Sequence, residues 1–150
     1  MASGKGHIVG GFVFVWLFLT ILSNLFFVPS PIEIVIFVGL ALMFSLWPDV
    51  DIKSIGQKVF YSIFFLTDAI LIFYFQNYKA AAYFGLLIIL PILAKHRGWT
   101  HLKITAVLLP LPLLLVPMYV FDGTLLSGLP YYFAAVFGYF SHLFFDKKLI

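Results

Sequence analysis

At 150 residues the chain has the length of one domain. Its make-up of 63% hydrophobic, 20% aromatic and 10% charged residues excludes a soluble one, because soluble chains carry roughly 25% charge. The absence of cysteine removes disulfides, thiolate metal sites and cysteine nucleophiles, and the net charge of +3 needs no nucleic-acid partner, since no basic soluble face separates from the apolar runs.

A mean hydropathy of +1.11 fits a single integral membrane domain covering residues 1–150. Residues 1–6 are small and polar with Lys5, and an apolar run starts after His7. That run, Ile8–Val28, is too long for a signal-peptide core, and no small-x-small cleavage site follows it. At ~1.5 Å per residue it matches a hydrocarbon layer of ~30 Å, so it predicts a first transmembrane helix. Pro29-Ser30-Pro31 ends it, because proline lacks a donor and restricts its predecessor.

The second predicted span is Ile32–Trp47, stopped by Pro48-Asp49-Val50-Asp51. Ser54 and Gln57 have capping-box spacing and predict the start of a third helix that continues through Val59–Phe75, with Asp68 near its middle. Gln76-Asn77-Tyr78-Lys79 is a polar turn, and a fourth span, Ala80–Ala94, leads to Lys95. The fifth, Ile104–Val120, carries Pro110, Pro112 and Pro117 and is expected to be kinked or broken. Phe121–Pro130 is a loop, and Tyr131–Phe145 is the sixth span. The expected fold is therefore all-α: a polytopic helical bundle of about six transmembrane helices, or five if the proline-rich one is broken or re-entrant. Several spans have nearer 16 residues than 20, which implies short helices or a locally thinned bilayer.

Six crossings decide which polar segments share a membrane face. His7, Asp49, Asp51, the segment His96–His101, His142 and Asp146 all fall on the N-terminal side. So do Lys5, Lys53, Lys58, Lys95, Arg97, Lys103, Lys147 and Lys148, leaving only Lys79 on the other. Such a bias makes that side cytoplasmic. All four histidines are thus expected at one face of a multi-pass protein of the cell (inner, cytoplasmic) membrane with both termini in the cytoplasm.

Imidazoles and carboxylates without thiolates form the ligand set of hydrolytic zinc, manganese or iron sites. His7, Asp49, Asp51, His96, His101, His142 and Asp146 are the candidates, more than one ion needs and enough for two. His142 and Asp146 stand four residues apart and leave the last helix from one face. Taken singly, Asp49 and Asp51 have a plain alternative as caps of the third helix. Likewise His96 and His101 have one as interfacial residues, and His7 as polar punctuation before a span. Asp146 is less easily dismissed, because a carboxylate at a helix C-terminus faces the negative end of the dipole and calls for a cation.

The same residues resemble a known family. Pro48-Asp49-Val50-Asp51 with Ser54-Ile55-Gly56 is similar to the PDxD…SxxG segment of the YdjM-like membrane-bound metal-dependent hydrolases. His96-Arg97-Gly98-Trp99-Thr100-His101 matches their HRGxTH signature, and Gly138…His142…Asp146 their terminal G…H…D. His7 followed by Gly10 or Gly11 fits the N-terminal H…G element. The likeness covers nearly the whole chain. The sequence departs from the pattern at Ile52, where relatives place a polar residue, and at Leu102, where serine is usual.

The resemblance implies a hydrolase, phospholipase-like, with a divalent metal. The expected ligands are His7, Asp51, His101, His142 and Asp146, holding zinc in the first instance and manganese or iron otherwise. Asp49 or His96 is expected to handle the proton of a metal-activated water. Arg97 is expected to clamp a phosphate oxygen with Lys95 or Lys103. A phospholipid in the surrounding bilayer is the expected substrate. The alternative is a non-enzymatic, metal-stapled scaffold or small subunit of a membrane complex, with a homo-oligomer as a further possible partner. A proton or cation carrier built on Asp68 is the thinnest reading, because one acid makes a poor pathway.

Overall fold

The computed structural model describes residues 4–82, 85, 89, 98–115, 117–118 and 123–146, and among these there is helix and no strand. Helix α1 covers Gly4–Leu25, α2 Pro31–Leu46 and α3 Ile55–Phe73. These three are long and apolar enough to cross a membrane, as Lys5–Leu25, Pro31–Asp49 and Ile55–Phe73. The start of α2 is a complete capping box: the Ser30 hydroxyl accepts from the Glu33 amide at 3.4 Å, and the Glu33 carboxylate accepts from the Ser30 amide at 2.8 Å. Pro31 occupies the first turn, where its missing donor costs nothing. Helix α3 begins at the expected Ser54, whose hydroxyl accepts from the Gln57 amide at 3.0 Å.

The expectation of six full spans is corrected here. Three helices among the described residues reach spanning length. The predicted fourth span, Ala80–Ala94, is helical at 80–82, at Gly85 and at Ile89, with the helix already begun at Tyr78 inside the expected turn, and the remainder of the span lies outside the described residues. In place of a fifth continuous helix, α4 covers only Lys103–Leu108, and a 3₁₀ turn follows at Leu111–Leu114. The cause is covalent. Neither Pro110 nor Pro112 can donate to the carbonyl four residues back, so the α-helical ladder stops where they begin. The last helix, α5, spans Leu129–Phe145, 17 residues.

The broken segment nevertheless runs the length of α5. The Tyr139 hydroxyl donates to the Thr100 carbonyl, and the Tyr132 hydroxyl donates to the Val107 carbonyl at 3.1 Å. Gly128 lies directly against the Leu114 backbone. Residues 100, 107 and 114 thus pair with 139, 132 and 128, so the segment descends antiparallel to α5 in spite of its break.

Helices α1, α2 and α5 form the packed unit of the molecule. Val15, Phe18, Leu22, Phe37, Ala41 and Ala134 make one buried cluster, with the Phe18 and Phe37 rings edge to face at 5.9 Å. Toward the other end the helices approach through small residues, as membrane helices do when no hydrophobic drive separates them from lipid. A side chain on Gly138 would run into the Ala41 backbone. One on Gly11 would sit 2.8 Å from the Ser45 hydroxyl, and one on Gly10 would sit 2.5 Å from the Phe145 ring. The exposed surface is apolar, with Trp16, Phe65, Phe73 and Leu126 facing outward. Such a surface suits hydrocarbon and not water.

Candidate metal centre

Where the glycines bring the helices closest, four segments deliver polar side chains. His7 sits in the opening turns of α1. Asp49 closes the 3₁₀ turn Trp47–Asp49 that finishes α2. His101 ends a second 3₁₀ turn, Trp99–His101. His142 occupies the last turn of α5, and Asp146 is its C-cap, its amide donating to the His142 carbonyl at 3.0 Å.

Each of these is held by the local chain. The Ser54 hydroxyl donates to the Asp49 carbonyl at 2.7 Å while capping α3, so one serine ties the acid to the next helix. Gly56 lets that helix close onto α2, since a Cβ there would lie 2.5 Å from the Leu46 carbonyl oxygen. Two hydroxyls grip the carbonyls of the His101 turn: Thr105 on Trp99 and Tyr139 on Thr100. His142 Nδ1 lies 2.8 Å from the Ser45 carbonyl. A carbonyl only accepts, so Nδ1 carries the proton and Nε2 is left with its lone pair.

The five side chains then meet. His7 Nε2 is 3.9 Å from Asp49 Oδ2 and 3.5 Å from Asp146 Oδ1. His101 Nε2 is 3.7 Å from Asp49 Oδ1 and 3.9 Å from Asp146 Oδ2. His142 Nε2 is 3.6 Å from Asp49 Oδ1 and 3.8 Å from Asp146 Oδ2. Direct charge-assisted hydrogen bonds are shorter, about 2.7–2.9 Å. Ligands held about 2.0–2.2 Å from an ion stand about 3.3–3.6 Å apart in a tetrahedral shell. The six separations are longer than direct hydrogen bonds and close to those of donors around a shared ion, so the cluster could hold a metal.

Burial strengthens that reading. The imidazoles are 0–1% exposed, the Asp146 side chain 2% and the Asp49 side chain 11%. His142 Nε2 and Asp49 Oδ1 are buried with no hydrogen-bond partner among the described residues, a condition that costs about 1–3 kcal/mol for each group. Two carboxylates lie at the C-terminal ends of α2 and α5, where helix dipoles add further negative potential. A divalent cation relieves both penalties. Two sets of three, His7 with His142 and Asp146, and Asp49 with His101 and His142, have ligand atoms within 4.8 Å of one another. The donor set fits a metal.

Among the sequence candidates, the structure brings together His7, His101, His142, Asp146 and Asp49. It does not place Asp51 in either set; that residue is half-buried just beyond the 3₁₀ turn. Lys103 is exposed two residues from His101. Lys95, His96 and Arg97 lie outside the described residues. Asp68 stands mid-way along α3, half-buried, apart from both sets. Sequence reasoning missed Ser45 and Tyr139. The first acts through its backbone carbonyl, which no residue type advertises, and the second is one aromatic among many. Gly10 and Gly11 were noted only as part of a pattern, and their spacing from His7 was the available signal.

Fold and site together define a helical membrane protein with a buried histidine–aspartate cluster at one end of its bundle. The chain belongs to the YdjM inner membrane protein family, whose model matches residues 1–147. No curated protein and no solved structure matches it.

Proposed function

We propose that this protein is a membrane-embedded, metal-dependent hydrolase acting on a phosphate ester, a phospholipid of the cytoplasmic leaflet being the substrate. The observation that carries the reading is the convergence of three imidazole Nε2 atoms and two carboxylates at 3.5–3.9 Å in a buried site. A divalent ion there, zinc first and manganese or iron otherwise, would supply a water made acidic enough to ionise near pH ~7.

The protein's own groups do the remainder. Ser45 fixes the tautomer and aim of His142, and the hydroxyls of Thr105 and Tyr139 fix the turn that carries His101. Asp49, on the least buried side of the cluster, would help hold the ion, and His96 is assigned the handling of the water's proton. Arg97 and Lys95, neighbours of the Gly98 turn in sequence, and the exposed Lys103 would hold the phosphate oxygens. A guanidinium fork suits a tetrahedral anion. By the six-crossing count, eight of the nine cationic residues would fall on the side that carries the site, which favours a multi-pass arrangement with both termini in the cytoplasm. A purely structural metal site needs only four ligands, so five converging donors favour catalysis over a scaffold.

Elemental analysis of the detergent-purified chain beside the His142→Ala/Asp146→Ala double variant tests the metal. The expected result is stoichiometric zinc, manganese or iron that the variant lacks. Turnover is then measured on phospholipid vesicles and on a soluble phosphodiester. Bound metal with no hydrolysis of either substrate leaves a scaffold and ends the hydrolase reading.

A further inference from the structure

Resting on the metal-centre reading, we infer that the site is built for two ions bridged by Asp49 and Asp146, not for one. Both carboxylates divide their oxygens in the same way. Asp49 turns Oδ2 to His7 and Oδ1 to His101 and His142, at 3.9, 3.7 and 3.6 Å. Asp146 turns Oδ1 to His7 and Oδ2 to His101 and His142, at 3.5, 3.9 and 3.8 Å. A carboxylate that divides its oxygens between imidazoles in this way is placed to bridge two ions, one on each oxygen.

The rings give the second reason. His7 and His142 are stacked, with centroids 3.8 Å apart and planes 13° from parallel. An imidazole binds a metal in its own plane, and the ion lies about 3 Å from the ring centre when the Nε2–metal bond is about 2.1 Å. Over that length a 13° tilt closes the gap between the two planes by less than about 1 Å. The two lone pairs therefore do not converge on one point. They address two positions about 3 Å apart, near the separation of about 3.5–4 Å typical of two-metal hydrolytic centres.

The assignment follows. One ion takes His7, Asp49 Oδ2 and Asp146 Oδ1, and the other takes His101, His142, Asp49 Oδ1 and Asp146 Oδ2. Two divalent cations against two carboxylates leave a surplus of positive charge. An anionic substrate with paired oxygens, a phosphomonoester or phosphodiester, would neutralise it by spanning both ions. The His7 position has one imidazole against two at the other, so it is the weaker and should fill second.

The test uses the full-length chain in detergent, stripped of metal and titrated with Mn²⁺ while binding and electron paramagnetic resonance are recorded. Two equivalents per chain with an exchange-coupled spectrum are expected. His7→Ala is expected to bind one equivalent and show the spectrum of an isolated ion. Saturation of the unmutated chain at one equivalent, with an isolated-ion spectrum, overturns the two-ion assignment and leaves the metal centre standing. Two uncoupled ions, or a His7→Ala variant that still binds two coupled ones, also overturn it. If neither Mn²⁺ nor Zn²⁺ binds, the metal-centre reading itself falls.

Discussion

Gly138 is the most exacting position in the packing that carries the site. A Cβ built there would lie 2.7 Å from both the Cα and the carbonyl carbon of Ala41. Non-bonded carbons rest at about 3.5–4.0 Å, so Gly138→Ala is short by about 1 Å. The obstruction is backbone and cannot swing aside; α2 and α5 must part by about that distance. Overpacking of this kind costs about 1–3 kcal/mol, set against a helix-propensity gain of up to about 1 kcal/mol for alanine over glycine. Gly39→Ala on the same α2 is the control, because nothing lies within 4 Å of its added Cβ and it takes only the gain. At about 2–4 °C per kcal/mol the two variants should differ in Tm by several degrees in the same detergent. The site should register the strain too. Ser45 and His142 lie one turn beyond the contact, on α2 and α5 respectively, and their 2.8 Å hydrogen bond does not survive a 1 Å separation. Metal affinity should fall roughly 10–100-fold, the usual cost of losing the partner that orients a ligand. Equal Tm and equal metal affinity in Gly138→Ala and Gly39→Ala would refute the claim that this contact sets the site.

Two serine caps give a second contrast. Ser30→Ala and Ser54→Ala should each lower stability by about 0.5–2 kcal/mol, but only Ser54→Ala should weaken metal binding, because only that hydroxyl also holds the Asp49 carbonyl. Equal metal affinity in the two would remove Ser54 from the support of Asp49. Tyr139→Phe deletes the grip on the Thr100 carbonyl. It should reduce metal affinity without changing stoichiometry, as followed by competition with a chromophoric chelator; an unchanged affinity would mean that Thr105 alone holds the His101 turn. Stripping the metal should lower Tm, since a ligand at 1,000 times its Kd contributes about 4 kcal/mol to the folded state. A melting curve indifferent to chelation would count against any ion in the cluster.

The parts of this molecule that were legible in the sequence are those set by covalent rules and simple periodicity. Pro29-Ser30-Pro31 and Ser54…Gln57 mark helix ends because a missing donor and a capping hydroxyl act within a few residues. The i, i+4 relation of His142 and Asp146 follows from the helical repeat alone; His7, Asp49, His101 and His142 do meet, as expected, although the count of six full spans behind that expectation does not stand. The break after Leu108 was half legible: the prolines announced it, but its extent depends on how Tyr132 and Tyr139 of α5 hold the segment. The choice between Asp49 and Asp51 was not legible. Two acids two residues apart look alike in sequence, and the 3₁₀ turn Trp47–Asp49, with Ser54 on its last carbonyl, is what presents the first to the imidazoles. The contribution of Ser45 was invisible because it comes from the main chain.

The separation of the five polar side chains along the polypeptide governs the order in which the protein can be made. His7 is synthesised before all its partners and Asp146 after them. Helix α1 is therefore made with an imidazole whose first carboxylate neighbour, Asp49, follows only at the end of α2. The cluster closes only when α5 docks and brings His142 and Asp146 alongside. A chain that stops short of α5 lacks His142 and Asp146, so any ion held by the five side chains would load after α5 docks and would act as a clasp on a finished bundle.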